Sequence, residues 1–190
     1  FFVAGSTHPG EDEIVIHVYK KLLERYSDFS LIIVPRHIER TRDIIRLLKE
    51  ANLSDIVTLS EINNGKQRNH ERIILIDVIG ELFKVYSLAS VVYCGGSLVP
   101  KGGQNILEAA AWGKVIFYGP SMEDFSAEKD LLEAAGCGMT IKDGTELLQG
   151  IMKMLGNPEE LKRRGEKGKE VVQANVGASA RYADLISKYF

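Results

Sequence analysis

The chain has 190 residues, 45% hydrophobic and 26% charged, with a formal net charge of −2. That supplies the core of one domain, and the near-neutral balance speaks against a nucleic-acid-binding module, which carries a basic patch. No apolar run reaches the ~18 residues of a membrane span, and the two cysteines, Cys94 and Cys137, lack metal-ligand spacing and read as free thiols of a reducing compartment.

Phe1 to Thr7 reads as a strand running into the turn Gly5-Ser6-Thr7-His8-Pro9-Gly10. A strand at the first residue, with no Met before it, leads to the expectation of a domain excised from a longer protein. Glu11, Asp12 and Glu13 then complement a helix dipole. Ile14, Val18, Leu22 and Tyr26 recur every four residues, which predicts a helix over Glu11 to Tyr26. Phe29 to Val34 is a buried strand stopped at Pro35-Arg36-His37. Glu39 to Ala51 is a second helix and Asp55 to Leu59 a third strand. The polar segment Ile62 to Arg72, with a central Asn-Gly, is a turn or mobile loop. Ile73 to Ile76 is a fourth strand ending at Asp77, and Gly80-Glu81 opens a helix through Ala89.

The stretch from Ser90 to Tyr118 organises the chain. Ser90 to Cys94 is a short β-branched strand, Gln104 to Trp112 a helix, and Lys114 to Tyr118 the next strand. Between strand and helix lie two glycine pairs, Gly95-Gly96 and Gly102-Gly103. They allow positive φ and a close approach of backbone to ligand, and the start of the helix is a natural anion site. Asn105 and Glu108 share a helix face there, where a carboxylate can accept from sugar hydroxyls. The alternative is a plain βαβ crossover with a flexible loop. Farther on come a helix over Asp124 to Ala135, a strand over Gly138 to Ile141, and helices over Thr145 to Leu155, Glu159 to Ala174 and Ala178 to Tyr189. Gly165 and Gly168 weaken the middle of the second of these three.

Strands alternating with helices predict a doubly wound α/β domain, a parallel sheet covered on both faces and forming one Rossmann-like unit over 1–190. Ligands of such sheets bind beyond the carboxyl ends of the strands. Four clusters fall there: Gly5 to Thr7, Pro35 to His37, Asp77 to Glu81 and Gly95 to Glu108. Arg36 suits a phosphate or carboxylate through its planar fork, or a surface pair with a helix acid. Glu81 is a ligand carboxylate, a helix N-terminal acid, or both. His8 and His37 lie at strand ends where either can touch ligand. His17 is a helix residue, His70 a loop residue, and no metal-ligand arrangement is present. Lys101 sits in a glycine loop lacking the G-x-x-x-x-G-K-[ST] pattern, and neither a nucleophile elbow nor a Cys/His set occurs. The residues alone therefore predict a binding site for a nucleotide or sugar phosphate, with no catalytic residue and no cofactor.

The strings Ala4-Gly5-Ser6-Thr7-His8, Val34-Pro35-Arg36-His37, Asp77-Val78-Ile79-Gly80-Glu81-Leu82, Gly95-Gly96-Ser97-Leu98, Gly102 to Glu108 and Gly119-Pro120 occur in order. Together they resemble the 3-deoxy-D-manno-octulosonic acid (Kdo) transferases of lipopolysaccharide synthesis. The resemblance implies the C-terminal, donor-binding half of a two-domain GT-B glycosyltransferase, inverting and metal-independent. Such an enzyme moves Kdo from CMP-Kdo to a lipid A precursor at the cytoplasmic face of the bacterial inner membrane. It implies that Pro35 and Arg36 contact the cytidine of CMP, and that Ile79, Gly80 and Glu81 line the same nucleotide. Asn105, Ile106, Leu107 and Glu108 would hold the phosphate and ribose. Ser6, Thr7 and Ser97 are further possible donor contacts. Acceptor, membrane contact and catalytic base would belong to the other half. Four positions depart from the family pattern: Ile79 for Met, Gln104 for His, and Ile106 and Ala109 for Pro. Gln104 removes a titratable group. Rival readings are a UDP- or GDP-sugar enzyme of the same architecture, a non-catalytic nucleotide-binding module, and an interaction scaffold.

Overall fold

A computed structural model describes residues 1–175; the helix expected over Ala178 to Tyr189 lies outside the described residues. Seven strands form one sheet: β1 (Phe2–Thr7), β2 (Leu31–Pro35), β3 (Ile56–Thr58), β4 (Ile73–Leu75), β5 (Val91–Cys94), β6 (Val115–Tyr118) and β7 (Gly138–Thr140). Their spatial order is β3-β4-β2-β1-β5-β6-β7, and every pairing is parallel. The doubly wound fold is as expected. The chain moves outward from β1 on one side through β2, then returns to β5 on the other. The reversal between β1 and β5 is the switch point, where the loops diverge and leave a crevice.

The strands are short apolar runs because both faces are covered. Phe2, Ala4, Leu31, Ile33, Tyr93 and Phe117 face one core, packed by α1 (Asp12–Leu23), α2 (Thr41–Glu50) and α7 (Gly144–Leu155). Val3, Ile32, Val34, Val92, Ile116 and Tyr118 face the other. That face is covered by α3 (Leu59–Asn63), α4 (Leu82–Tyr86), α5 (Leu107–Ala111), α6 (Ser126–Ala135) and α8 (Pro158–Asn175). Alternate residues of one strand thus serve two cores.

Three differences from the sequence expectations have local causes. The segment read as loop from Ile62 begins inside α3, which is started by a capping box. Thr58 accepts from the Glu61 amide at 3.2 Å, and Glu61 Oε2 accepts from the Thr58 amide at 2.9 Å. The helix expected from Gln104 begins only at Leu107, because the Asn105 side chain accepts from the Leu107 amide at 3.1 Å and holds a turn instead. The helix expected through Ala89 ends at Tyr86; Leu88 and Ala89 donate three residues back, in tighter turns.

α8 runs unbroken through Gly165 and Gly168, and packing explains both. A Cβ on Gly165 would overlap the Gly113 carbonyl, and one on Gly168 would lie 2.7 Å from Cys137 Sγ. Gly165 lets α8 meet the turn after α5 backbone to backbone, and Gly168 leaves room for the Cys137 side chain. Alanine normally stabilises a helix by about 1 kcal/mol over glycine. Here overpacking of about 1–3 kcal/mol outweighs that gain, so Gly165→Ala is expected to lower the thermal midpoint. A raised midpoint would mean that helix propensity, not the contact with Gly113, governs this position.

Candidate functional site

At the carboxyl ends of β1 and β5, one side chain ties the loops together. Glu11, fully buried, accepts five hydrogen bonds. Oε2 takes the amides of His8 at 2.9 Å and Gly96 at 2.8 Å. Oε1 takes the amides of Ser97 and Leu98, both at 3.0 Å, and the Tyr93 hydroxyl at 2.6 Å. Burial, followed by the Glu11 charge, holds the Tyr93 phenol far above its ordinary range. The concave row of amides after β5 is an anion nest, and the anion in it belongs to the protein.

This changes the meaning of the glycines. A Cβ on Gly95 would come within 2.5 Å of the Ser6 carbonyl oxygen. Gly96 has φ 69 and supports the His8 ring. The close approach that Gly95-Gly96 permits is therefore to the protein's own β1 turn. Ser97 and Thr7, expected as possible donor contacts, are fully buried. Ser97 Oγ donates to the Cys94 carbonyl at 2.6 Å and accepts from the Gly119 amide at 2.8 Å. The Thr7 carbonyl accepts from the Arg36 amide and from Arg40 Nη1, both at 3.0 Å. Both residues shape the floor from beneath. The hydroxyl of Ser97 is committed within the protein.

Above that floor lies a cleft of about 180 Å³. Ser6, Val34, Pro35 and Arg36 line one side, Val78, Ile79, Gly80 and Leu82 the other, with Ile38 at the edge. Ser6 adopts a left-handed φ of 54, unusual outside glycine. Ile79 is 81% exposed at the rim. Gly80 has φ 91 with open space around it, so the backbone conformation, not crowding, calls for glycine. Two clusters 43 residues apart in sequence, at 36 and 79, thus meet. Glu81 flanks the turn and pairs with Lys84 at 3.2 Å. Asn105 is exposed, and its Nδ2 donates to Glu108 Oε1 at 3.3 Å. Ile106 is fully buried, so only its backbone can face a ligand. The Glu108 charge reaches the Cys94 thiol at the end of β5. That thiol is pushed up to about 12, first by burial, then by Glu11 and by Glu108. Cys137 is pushed up to about 11 by burial, so neither thiol is a ready nucleophile.

Two supports escaped the sequence reading. Arg40 donates to Asp12 as well as to Thr7, clamping α1 to the end of β1. Burial raises the Asp12 carboxyl, against the pull of Thr7 and Arg40. Asp77 accepts from the Ser60 amide at 2.8 Å and the Ser60 hydroxyl at 2.5 Å, which anchors the Val78-to-Gly80 turn on α3. The signal for Glu11 was half visible: an acid three residues beyond His8 can reach back to its amide. Its partners 85 to 87 residues away leave no local pattern. Among the described residues, no group of three or more His, Cys, Asp or Glu is placed to hold a metal ion, and no helix is long and apolar enough to cross a membrane.

The fold is that of a GT-B glycosyltransferase domain. The C-terminal CMP-Kdo binding domain of WaaA from Acinetobacter baumannii superposes with a TM-score of 0.82 at 26% identity, covering 90% of this chain and 88% of that one. The C-terminal domain of a group 1 glycosyl transferase from Francisella tularensis shares the fold alone, with a TM-score of 0.61 at 13% identity, covering 92% and 85%. No family model matches the chain. The 3-deoxy-D-manno-octulosonic acid transferase of Haemophilus influenzae is 33% identical over 189 residues, 99% of this chain and 44% of that protein. The Aquifex aeolicus transferase of the same name is 33% identical over 171 residues, 90% of this chain and 46% of that protein. The chain belongs to the Kdo transferase family and corresponds to its C-terminal domain. It spans about half the length of the curated relatives it matches.

Glu11→Gln places an amino group among backbone amides. It is expected to cost about 3 kcal/mol or more, read as a lower midpoint in denaturant unfolding. An unchanged midpoint would show that the loops do not depend on the carboxylate.

Proposed function

We propose that the chain is the donor half of a Kdo transferase. It binds CMP-Kdo, and a companion domain brings the lipid A precursor. The carrying observation is the cleft in which Pro35-Arg36 and Ile79-Gly80 meet beside the switch point. A 26% identical domain that binds CMP-Kdo, matched over 90% of the chain, supports the ligand class. In this reading the cytosine and ribose lie between Pro35, Arg36 and the Ile79-to-Glu81 turn. Arg36, exposed above the Thr7 carbonyl, meets the nucleotide. Asn105 orients Glu108, whose carboxylate accepts from the ribose hydroxyls, and the backbone from Asn105 to Leu107 faces the phosphate. Ser6, at the cleft wall, is the remaining candidate for a donor contact.

The chemistry divides between two domains. Transfer with inversion needs a base on the acceptor hydroxyl, and that base belongs to the companion domain. This half holds the nucleotide, orients the sugar and offers positive charge to the leaving phosphate, with no metal required by the proposal. Membrane contact and the cytoplasmic face of the inner membrane follow from the companion domain and acceptor in the same reading.

Calorimetry with CMP, UMP and GDP checks the base. CMP is expected to bind most tightly, and a preference for UMP or GDP would replace this reading with that of another nucleotide-sugar enzyme. Glu108→Ala should weaken CMP by about tenfold or more, as the loss of charge-assisted bonds worth about 1.5–3 kcal/mol requires. Unchanged affinity would remove the ribose role. The isolated chain is expected to show no Kdo transfer in a radiolabelled lipid assay, and robust transfer would show that the base lies within it.

A further inference from the structure

His8 is a buried imidazole for which the donor reading has no task. It follows Ser6 and Thr7 at the end of β1 and is only 7% exposed. Its Nδ1 lies 3.0 Å from the Ser6 carbonyl oxygen. A carbonyl only accepts, so Nδ1 carries the proton and Nε2 is the lone-pair nitrogen. Nε2 has no protein partner among the described residues, and it is not among the buried side-chain atoms sealed from solvent. A core histidine normally satisfies both nitrogens. This one keeps one nitrogen in reserve, two residues beyond Ser6 of the cleft wall.

Its surroundings define what that nitrogen can meet. The ring sits over Gly96 and stands edge-on to His37, centroids 6.0 Å apart. Lys101, from the loop after β5, contributes positive charge nearby. Glu11 Oε2 is 3.9 Å from Nδ1, but both its oxygens already serve the five donors described above. With the amide nest filled by Glu11, positive charge for an incoming anion must come from side chains: His37 and Lys101 lie near this ring, and Arg36 lines the neighbouring cleft.

We propose that His8 is a proton-linked contact for the phosphodiester of the nucleotide-sugar: Nδ1 stays on the Ser6 carbonyl while Nε2 takes up a proton as ligand binds and donates to a phosphate oxygen. The proposal rests on the donor-binding reading and adds a charge switch to it. Proton balance is simple: one proton passes from solvent to Nε2, and no covalent bond changes.

The direction of the pH effect follows. In the free site burial pushes His8 below its ordinary value of 6.5; the Ser6 hydrogen bond and Glu11 pull upward, while His37 and Lys101 push further down. A bound anion raises it. Affinity is therefore greatest below the free-site value and is lost as pH rises through the bound-state value. The probe is the methyl phosphodiester of CMP, whose phosphate does not titrate in this range.

Calorimetry between pH 8 and pH 6, in buffers of different ionisation enthalpy, is expected to show proton uptake and about fivefold or more tightening towards pH 6. His8→Asn keeps a donor to the Ser6 carbonyl and should bind with a flat pH profile and no uptake. An NMR titration of the His8 ring in the unaltered chain gives an independent reading: its midpoint should rise when the diester is added. An identical pH profile in His8→Asn, or a midpoint unmoved by ligand, overturns the proposal and leaves the donor reading standing. Failure of the chain to bind any cytidine nucleotide at any pH overturns both.

Discussion

The Glu11 carboxylate holds together the two loops on which the site depends. A carboxylate with no solvent contact would be strongly destabilising if unpaired. Here four amides and a tyrosine hydroxyl surround it. The same contacts satisfy amides at the turn after β1 and in the glycine loop after β5, which would otherwise be buried without partners. Each side needs the other, so the loops at the switch point are locked at a single spacing. Glycine at 95 and 96 is the steric condition for that lock.

From this lock the geometry spreads outward. The turn after β1 is fixed, so the Thr7 carbonyl can receive Arg36 and Arg40. Those bonds set the course of the chain after β2 and bring Pro35-Arg36 to the cleft wall. On the far wall, Asp77 fastens the Gly80 turn to α3 through Ser60. The cleft is therefore held by buried or half-buried polar contacts to rigid elements, while Ile79 and Arg36 project from it. Rigid support beneath exposed contacts suits a site that must recognise a polar ligand without rearranging. The Kdo transferase relatives align with 90–99% of the chain.

Much of the fold was legible. Strands buried on both faces must be continuous apolar runs, and Val91 to Cys94 and Val115 to Tyr118 are such runs bounded by glycine or lysine. The boundaries of α3 and α5 were not read, although Thr58 with Glu61, and Asn105 with Leu107, carry them in the local sequence. Those are competitions between side chains and helix for the same backbone amides, settled within a few residues. The positions of Pro35, Arg36, Ile79, Gly80, Asn105 and Glu108 at strand ends were legible from the αβ alternation. The burial of Thr7, Ser97 and Ile106 was not, because a hydroxyl or apolar residue in a loop looks the same in sequence whether it faces a ligand or the core.

The sequence by itself determined the parallel α/β class, the placing of the polar clusters at one edge of the sheet, and, through six ordered strings, the family. These rest on local periodicity and on composition at strand ends. Only the tertiary structure decided what occupies the glycine loop. Backbone amides bind whichever anion the fold brings to them, and β1–β5 pairing brings Glu11 from 85 residues away. A carboxylate at a helix start carries no mark of that partner, so the apparent ligand nest is the keystone of the site, and the surfaces around it are left to meet the ligand.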